Sequence, residues 1–228
     1  AAAAGAGGEE AAPPAGEELP FRRARPRALP DTGAPVQPVR ELRDSTLLHE
    51  VLAGGAVSEE PTYVRDLWPS GLLLVATRRP GCWMSREQAR AVDEAHAEAV
   101  GSAEGRPRLA AVVRTSFFDE DGSSEVEAFR EFFRGDVFVD DYLSVFKALG
   151  DRQYTDAVYS EEAGEWMLQR MVGCKGRPVP GNFVGGPDTA LKFGGVMLMD
   201  SSGKLRYSHQ EGIGKIDYAA IKRNLMEM

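Results

Sequence analysis

Residues 72–86 read LLLVATRRPGCWMSR. An apolar run, Leu72 to Ala76, stops at Thr77, two arginines, Pro80 and Gly81, and a cysteine follows. Pro69, Ser70 and Gly71 stand before the run. A short continuous apolar run between turn residues fits a strand buried on both faces. From Cys82 to Val100 there is no Gly or Pro, and Met84, Ala91, Val92, Ala95 and Ala99 make a narrow apolar stripe at helical spacing. Arg90 and Glu94 form an i,i+4 pair on the outer side, and Gly101 ends the helix. Cys82 therefore stands between the carboxyl end of a central strand and the start of a helix. Ligands and chemistry gather at that place in open α/β sheets.

The same alternation continues downstream. RLAAVVRTS (108–116) reads as a second buried strand, and Val126, Phe129 and Phe133 predict a helix over 125–134. DVFVDD (136–141) is a third short strand. Tyr142, Val145, Phe146 and Leu149 then fall at i, i+3, i+4 and i+7, an amphipathic helix closed by Gly150. Residues 151–190 read as an insertion, with a helix over 161–172 carrying Trp166, Met167 and Met171, followed by a loop dense in Gly and Pro. GGVMLMD (194–200), a turn at 201–204 and LRYSHQ (205–210) make a β-hairpin, and Tyr218, Ile221 and Leu225 stripe a last helix. Upstream, folded sequence starts near Val39. STLLHEVLAGG (45–55) reads as a short helix or strand, and PTYVRDLW (61–68) as an extended lead-in. Strands alternating with helices predict right-handed crossovers and an α/β sandwich: a central mixed sheet, helices on both faces, and a terminal hairpin plus helix.

Composition narrows the function classes. The 228 residues carry a net charge of −8, with no basic stripe interleaved with aromatics, which argues against nucleic-acid binding. Hydrophobic content of 43% and charged content of 27% are those of a globular protein. No apolar run approaches the roughly 20 residues that span a bilayer. Two cysteines make no disulfide framework, and no Asn-x-Ser/Thr occurs. Residues 1–40 are different: AAAAGAGGEEAAPPAGEELP has almost nothing to bury. FRRARPRALP follows, with Phe21, Arg22, Arg23, Arg25 and Arg27 close together. It reads either as a solvated linker or as an extended arm that orders on an acidic partner. The domain proper is then 41–228. The Ala-rich start without Met reads either as a removed targeting segment or as a missing first part; the former points to an organelle such as a plastid, with the cytoplasm as the alternative.

At the Cys82 site the free N–H groups and dipole of the helix N-terminus favour negative charge. Arg78, Arg79 and Arg86 lie within a few residues. Both effects favour the thiolate, and an exposed, acidified thiol is expected over the alternative of a buried small hydrophobe. Pro80 preorganises the turn and Gly81 lets it be tight. Ser85 occupies the place of the second sulfur in a Cys-x-x-Cys pair. A hydroxyl can hydrogen-bond a thiolate and cannot form a disulfide, so the local site is a monothiol, Cys-x-x-Ser. Cys174, in the loop-rich insertion, is the only other thiol and reads as incidental.

These residues resemble the peroxiredoxin-like (AhpC/TSA-type) group of thioredoxin-fold proteins, which includes prostamide/prostaglandin F synthase. The resemblance covers about 45–228 and rests on DLW (66–68), RRPGCWMSR (78–86), VFKALG (145–150), GN (181–182) and LKFGGVMLMDSSGKLRYSHQE (191–211), in that order. It implies a thioredoxin-like fold and thiol-dependent reduction with Cys82 as nucleophile, flanked by Arg79 and Arg86. The chain departs from the group at Ser85, where active members carry a resolving cysteine. It also lacks the Pro-x-x-x-Thr/Ser-x-x-Cys of peroxiredoxins proper, having Arg79 in place of the hydroxyl residue.

Other motifs carry no site. DEDG (119–122) has its Gly too early for a calcium loop, and His49, His96 and His209 lack metal-ligand spacing. No cofactor is expected. Two functions follow. One is an accessory subunit docked through residues 1–40 into a larger assembly, such as a plastid membrane complex of photosystem type, with at most monothiol activity at Cys82. The other is a thiol oxidoreductase in which Cys82 attacks a disulfide, peroxide or endoperoxide and an outside thiol or Cys174 resolves the intermediate. Loss of the resolving position tilts the expectation toward the subunit.

Overall fold

A computed structural model of the chain describes residues 39–101, 105–114, 122–150, 193–211 and 216–228. The arm with Phe21, Arg22, Arg23, Arg25 and Arg27, the insertion with Trp166, Met167 and Met171, and Cys174 all lie outside the described residues.

The elements in chain order are α1 (Val39–Ser45), β1 (Leu47–Val51), β2 (Val57–Tyr63), a 3-10 turn (Val64–Leu67), β3 (Leu72–Ala76), α2 (Trp83–Val100), β4 (Arg108–Arg114), α3 (Gly122–Arg130), β5 (Asp136–Asp140), α4 (Ser144–Ala148), β6 (Gly195–Met199), β7 (Leu205–Gln210) and α5 (Tyr218–Met226). One seven-stranded sheet runs β2-β1-β5-β4-β3-β6-β7. The three central strands β5, β4 and β3 are parallel, as short apolar runs linked by helices require. β6 pairs antiparallel with β3, setting Leu74 beside Met197, and β7 closes that side. The expected α/β sandwich, a mixed sheet with helices on both faces, is observed.

Alternation along each strand feeds two cores. Leu72, Leu74 and Ala76 of β3 face one side, with α1 and α4 packed there through Leu42, Val145 and Phe146. Leu73 and Val75 face the other, with α2, α3 and α5 packed through Val92, Phe129, Ile221 and Leu225. The hairpin turn is built on Asp200, whose Oδ1 accepts the N–H groups of Ser202 and Lys204, each at 3.0 Å. Trp68 of DLW is buried and donates its indole N–H to the Asp200 carbonyl.

Three local expectations change. STLLHEVLAGG, open between helix and strand, holds strand β1, and the extended lead-in after it becomes strand β2 and the 3-10 turn. β1 finds its partner in β5, an antiparallel pairing between segments far apart in sequence. Tyr142, placed on the apolar stripe, is 73% exposed, because Leu143 adopts a left-handed φ of 55° and the helix starts only at Ser144. The helix expected over 125–134 spans 122–130, and Phe133 still packs beside Phe129, ring centroids 5.6 Å apart.

Candidate functional site

The turn between β3 and α2 places Cys82 at the N-cap of α2, with φ −80° and ψ 127°. Its N–H donates to the Arg79 carbonyl at 3.1 Å, and its carbonyl accepts the Arg86 N–H at 3.0 Å, the first bond of the helix. Its side chain makes no capping hydrogen bond and is a free thiol. Arg78 Nη2 donates to Cys82 Sγ across 3.3 Å.

Arg78 is itself fully buried, and its Nε lies 3.6 Å from Glu211 Oε1. Glu211 is buried at the end of β7, where Oε2 accepts the Gly194 N–H at 3.1 Å and its own N–H donates to the Gly194 carbonyl at 3.0 Å. A buried guanidinium is tolerated only with a charge partner and hydrogen bonds, and Glu211 is that partner. The series Cys82, Arg78, Glu211, Gly194 thus joins the end of β3 to the start of β6 and the end of β7. Gly194 has to be glycine, since a Cβ there would stand 1.8 Å from the Ala76 carbonyl oxygen.

A second group of contacts holds the turn from outside. Glu125 of α3 takes Arg79 in a two-point ion pair, 3.2 Å to Nε and 2.8 Å to Nη2, and accepts the Gly81 N–H at 3.1 Å. Arg86 Nε donates to the Pro80 carbonyl at 2.8 Å, and its guanidinium lies 5.6 Å from the Phe132 ring centroid. Burial pulls the Arg86 guanidinium below its ordinary range, against the opposing charges of Glu125, Glu131 and Cys82.

Several expectations are corrected here. The thiol expected to be exposed is 0% exposed. Pro80 and Gly81 are buried with it, and Glu125 closes over the turn. Arg79 and Arg86 shape the turn, Arg79 on Glu125 and Arg86 on Pro80, and Arg86 also feels the charge of Cys82. The guanidinium on the sulfur belongs to Arg78, which sequence reasoning counted only among the neighbouring charges. Ser85 is buried one helical turn from Cys82, and among the described residues its Oγ has no hydrogen-bond partner. It shares a crevice with Val75, Thr77, Arg78, Gln88 and Glu211 that has no room for a water molecule. Glu125 and Glu211 carried no sequence signal beyond charge, although Glu211 closes the quoted run SHQE. His49 Nδ1 lies 2.8 Å from the Ser58 carbonyl and His96 Nε2 2.9 Å from that of Pro107, which are packing roles. No helix among the described residues is long and apolar enough to cross a membrane.

The AhpC/TSA antioxidant enzyme family matches residues 108–212, from β4 through Glu211. Peroxiredoxin-like 2A of Xenopus laevis is 36% identical over 89 residues, covering 37% of this chain and 35% of that one. The Xenopus tropicalis protein of the same name is 35% identical over 89 residues, covering 38% and 36%. From β4 to Glu211 the chain is similar to the AhpC/TSA family. The matched part spans about a third of the length of these curated relatives. The family match begins after Cys82, so the peroxiredoxin-like part supplies Gly194 and Glu211 while Arg78 and Cys82 come from the strand and turn before it. Two solved structures align more widely at 11% identity: BsSco, of the Sco family of cytochrome c oxidase assembly proteins, over 78% of this chain and 89% of its own at TM-score 0.42, and the Xanthomonas campestris bacterioferritin comigratory protein over 82% and 91% at 0.39.

Proposed function

We propose that the protein is a monothiol oxidoreductase of peroxiredoxin-like type, with Cys82 as its redox centre. The observation that carries this reading is the Arg78 guanidinium held 3.3 Å from Sγ by a buried carboxylate partner. The guanidinium fixes a hydrogen-bond donor at the sulfur, which is the group that would act as nucleophile. Cys82 thiolate attacks a hydroperoxide or a disulfide. In the first case a sulfenic acid forms and the alcohol or water leaves. In the second a mixed disulfide forms and one thiolate leaves. Ser85 cannot resolve either product, so an outside thiol does: one equivalent forms or exchanges into a mixed disulfide, a second releases Cys82 as the thiol. Because Cys82 is buried, each cycle requires local opening of the 78–82 turn.

The test is thiol-dependent consumption of cumene hydroperoxide by the full chain, compared with Cys82→Ser and Cys174→Ser. Activity lost in Cys82→Ser and kept in Cys174→Ser is the expected result. Equal turnover by wild type and Cys82→Ser overturns the assignment.

A second reading is a docked accessory subunit held through residues 1–40, its thiol unused. The burial of Cys82 favours it. Co-purification with other chains that is abolished by deletion of residues 1–40 and kept in Cys82→Ser would support it.

A further inference from the structure

Contacts of two kinds hold the turn that carries Cys82. Arg78 on Glu211 and Arg86 on the Pro80 carbonyl are dry: Arg78 and Glu211 are 0% and 2% exposed, and Arg86 7%. Arg86 also moves with the turn, because it belongs to the helix that the turn starts. Glu125 differs on both counts. It reaches the turn from another element, α3, and its side chain is 21% exposed and that of Arg79 24%. Water and ions therefore touch this ion pair while the buried one stays sealed. The carboxylate accepts two bonds from the Arg79 guanidinium and one from the Gly81 N–H. Nothing at Gly81 stands between them, and an added Cβ would lie 2.4 Å from Glu125 Oε2. The carboxylate thus lies against the backbone one residue before Cys82, whose side chain is covered.

We propose that Glu125 is an ionic clasp that regulates access to Cys82: paired with Arg79 it keeps the turn shut, and where salt screens the pair the turn opens more often. The inference rests on the redox reading above and deepens it, naming what controls entry to the buried sulfur. An ion pair between partly exposed side chains weakens as ionic strength rises, whereas a buried pair is screened much less. The response to salt therefore belongs to Glu125 and Arg79 and not to Arg78 and Glu211. Opening breaks the bond from the Cys82 N–H to the Arg79 carbonyl, so the backbone reports it independently of the chemistry of the sulfur.

The experiment uses the full chain with Cys174→Ser as the parent, in about 10 mM and about 1 M sodium chloride, between which the screening length falls from about 30 Å to about 3 Å. Labelling of Cys82 by iodoacetamide, a neutral reagent, and hydrogen exchange of the Cys82 amide are followed without denaturant. Glu125→Gln keeps the size of the side chain and an oxygen for the Gly81 N–H, and loses the charge. Lys222→Gln removes the ion pair with Glu98 near the other end of α2 and is the control. Urea denaturation gives the global stability of each variant. At low salt both rates should rise about tenfold in Glu125→Gln, the scale of one hydrogen bond to a charged group. Both should rise with salt in the parent and in Lys222→Gln, and stay level with salt in Glu125→Gln. If Glu125→Gln labels and exchanges no faster than the parent, or no faster than its loss of global stability accounts for, the clasp is overturned. Thiol-dependent consumption of cumene hydroperoxide decides the redox reading separately. Faster labelling and exchange with no turnover in any variant keep the clasp and overturn that reading; turnover with unchanged labelling and exchange does the reverse.

Discussion

The carboxylate of Glu125 lies against Gly81 so closely that a Cβ built at Gly81 would stand 2.4 Å from Glu125 Cδ. The same carboxylate accepts the Gly81 N–H at 3.1 Å and holds Arg79. Two residues 44 positions apart therefore define the turn that presents Cys82. Gly81→Ala should force Glu125 away and cost about 1–2 kcal/mol by overpacking. In a Glu125→Ala background the same change should cost clearly less. A double-mutant cycle by urea denaturation measures the difference. Additive costs would show that the contact does not constrain the turn.

Arg78 is the buried charge on which the sulfur depends. Arg78→Met leaves Glu211 buried without its guanidinium, which should cost about 3–5 kcal/mol. Adding Glu211→Leu should recover a large part of that stability but none of the reactivity of Cys82. Thermal denaturation together with iodoacetamide labelling separates the two effects. Labelling that is as fast in the stable double variant as in wild type would remove Arg78 from the chemistry.

Gly194 has no room for any side chain. With the Ala76 carbonyl oxygen 1.8 Å from an added Cβ, relief has to come from backbone movement between β3 and β6. Gly194→Ala should cost more than about 3 kcal/mol, beyond ordinary core overpacking. It should also loosen Glu211, whose carboxylate and backbone N–H both bond Gly194. Chemical denaturation checks the first, and faster Cys82 alkylation the second.

Burial pushes the Asp140 carboxyl above its ordinary range, only partly offset by the N–H groups of Val145, Ser144 and Tyr142 and the charge of Lys147. A raised carboxyl binds its proton more tightly folded than unfolded. Its contribution is fully present below the unfolded value of about 3.9 and is lost as pH rises through the folded one. Asp140→Asn keeps an oxygen for the Val145 N–H, which Asp140 Oδ2 accepts at 2.7 Å, and cannot ionise. Its stability relative to wild type should rise between about pH 4 and pH 7. Parallel pH profiles, or a gap that shrinks with pH, would contradict the assignment.

Much of the fold was legible in the sequence, because the signals that set it are local. Continuous apolar runs at 72–76, 109–113 and 137–139 became the parallel centre of the sheet, for a strand covered on both faces has no polar side to show. Helix α2 begins and ends where the breaker-free stretch does, from the Cys82 cap to Gly101. Strands β1 and β2 were not legible as a pair, since β1 is specified by its long-range partner β5 rather than by its own pattern.

By itself the sequence determined that a cysteine would sit at a strand-to-helix turn, among arginines, with a serine one turn on. Those are facts of order and spacing. Which arginine meets the sulfur was decided by tertiary structure, because Arg78 is selected by Glu211, 133 residues further along, and Arg79 is drawn off by Glu125. Burial of the thiol was decided there too. Exposure at a helix N-terminus depends on what packs over it, and the pieces that close this one come from α3 and from the ends of β6 and β7. Charge partners across a sheet leave no periodic trace in a chain; only folding brings them within hydrogen-bond distance.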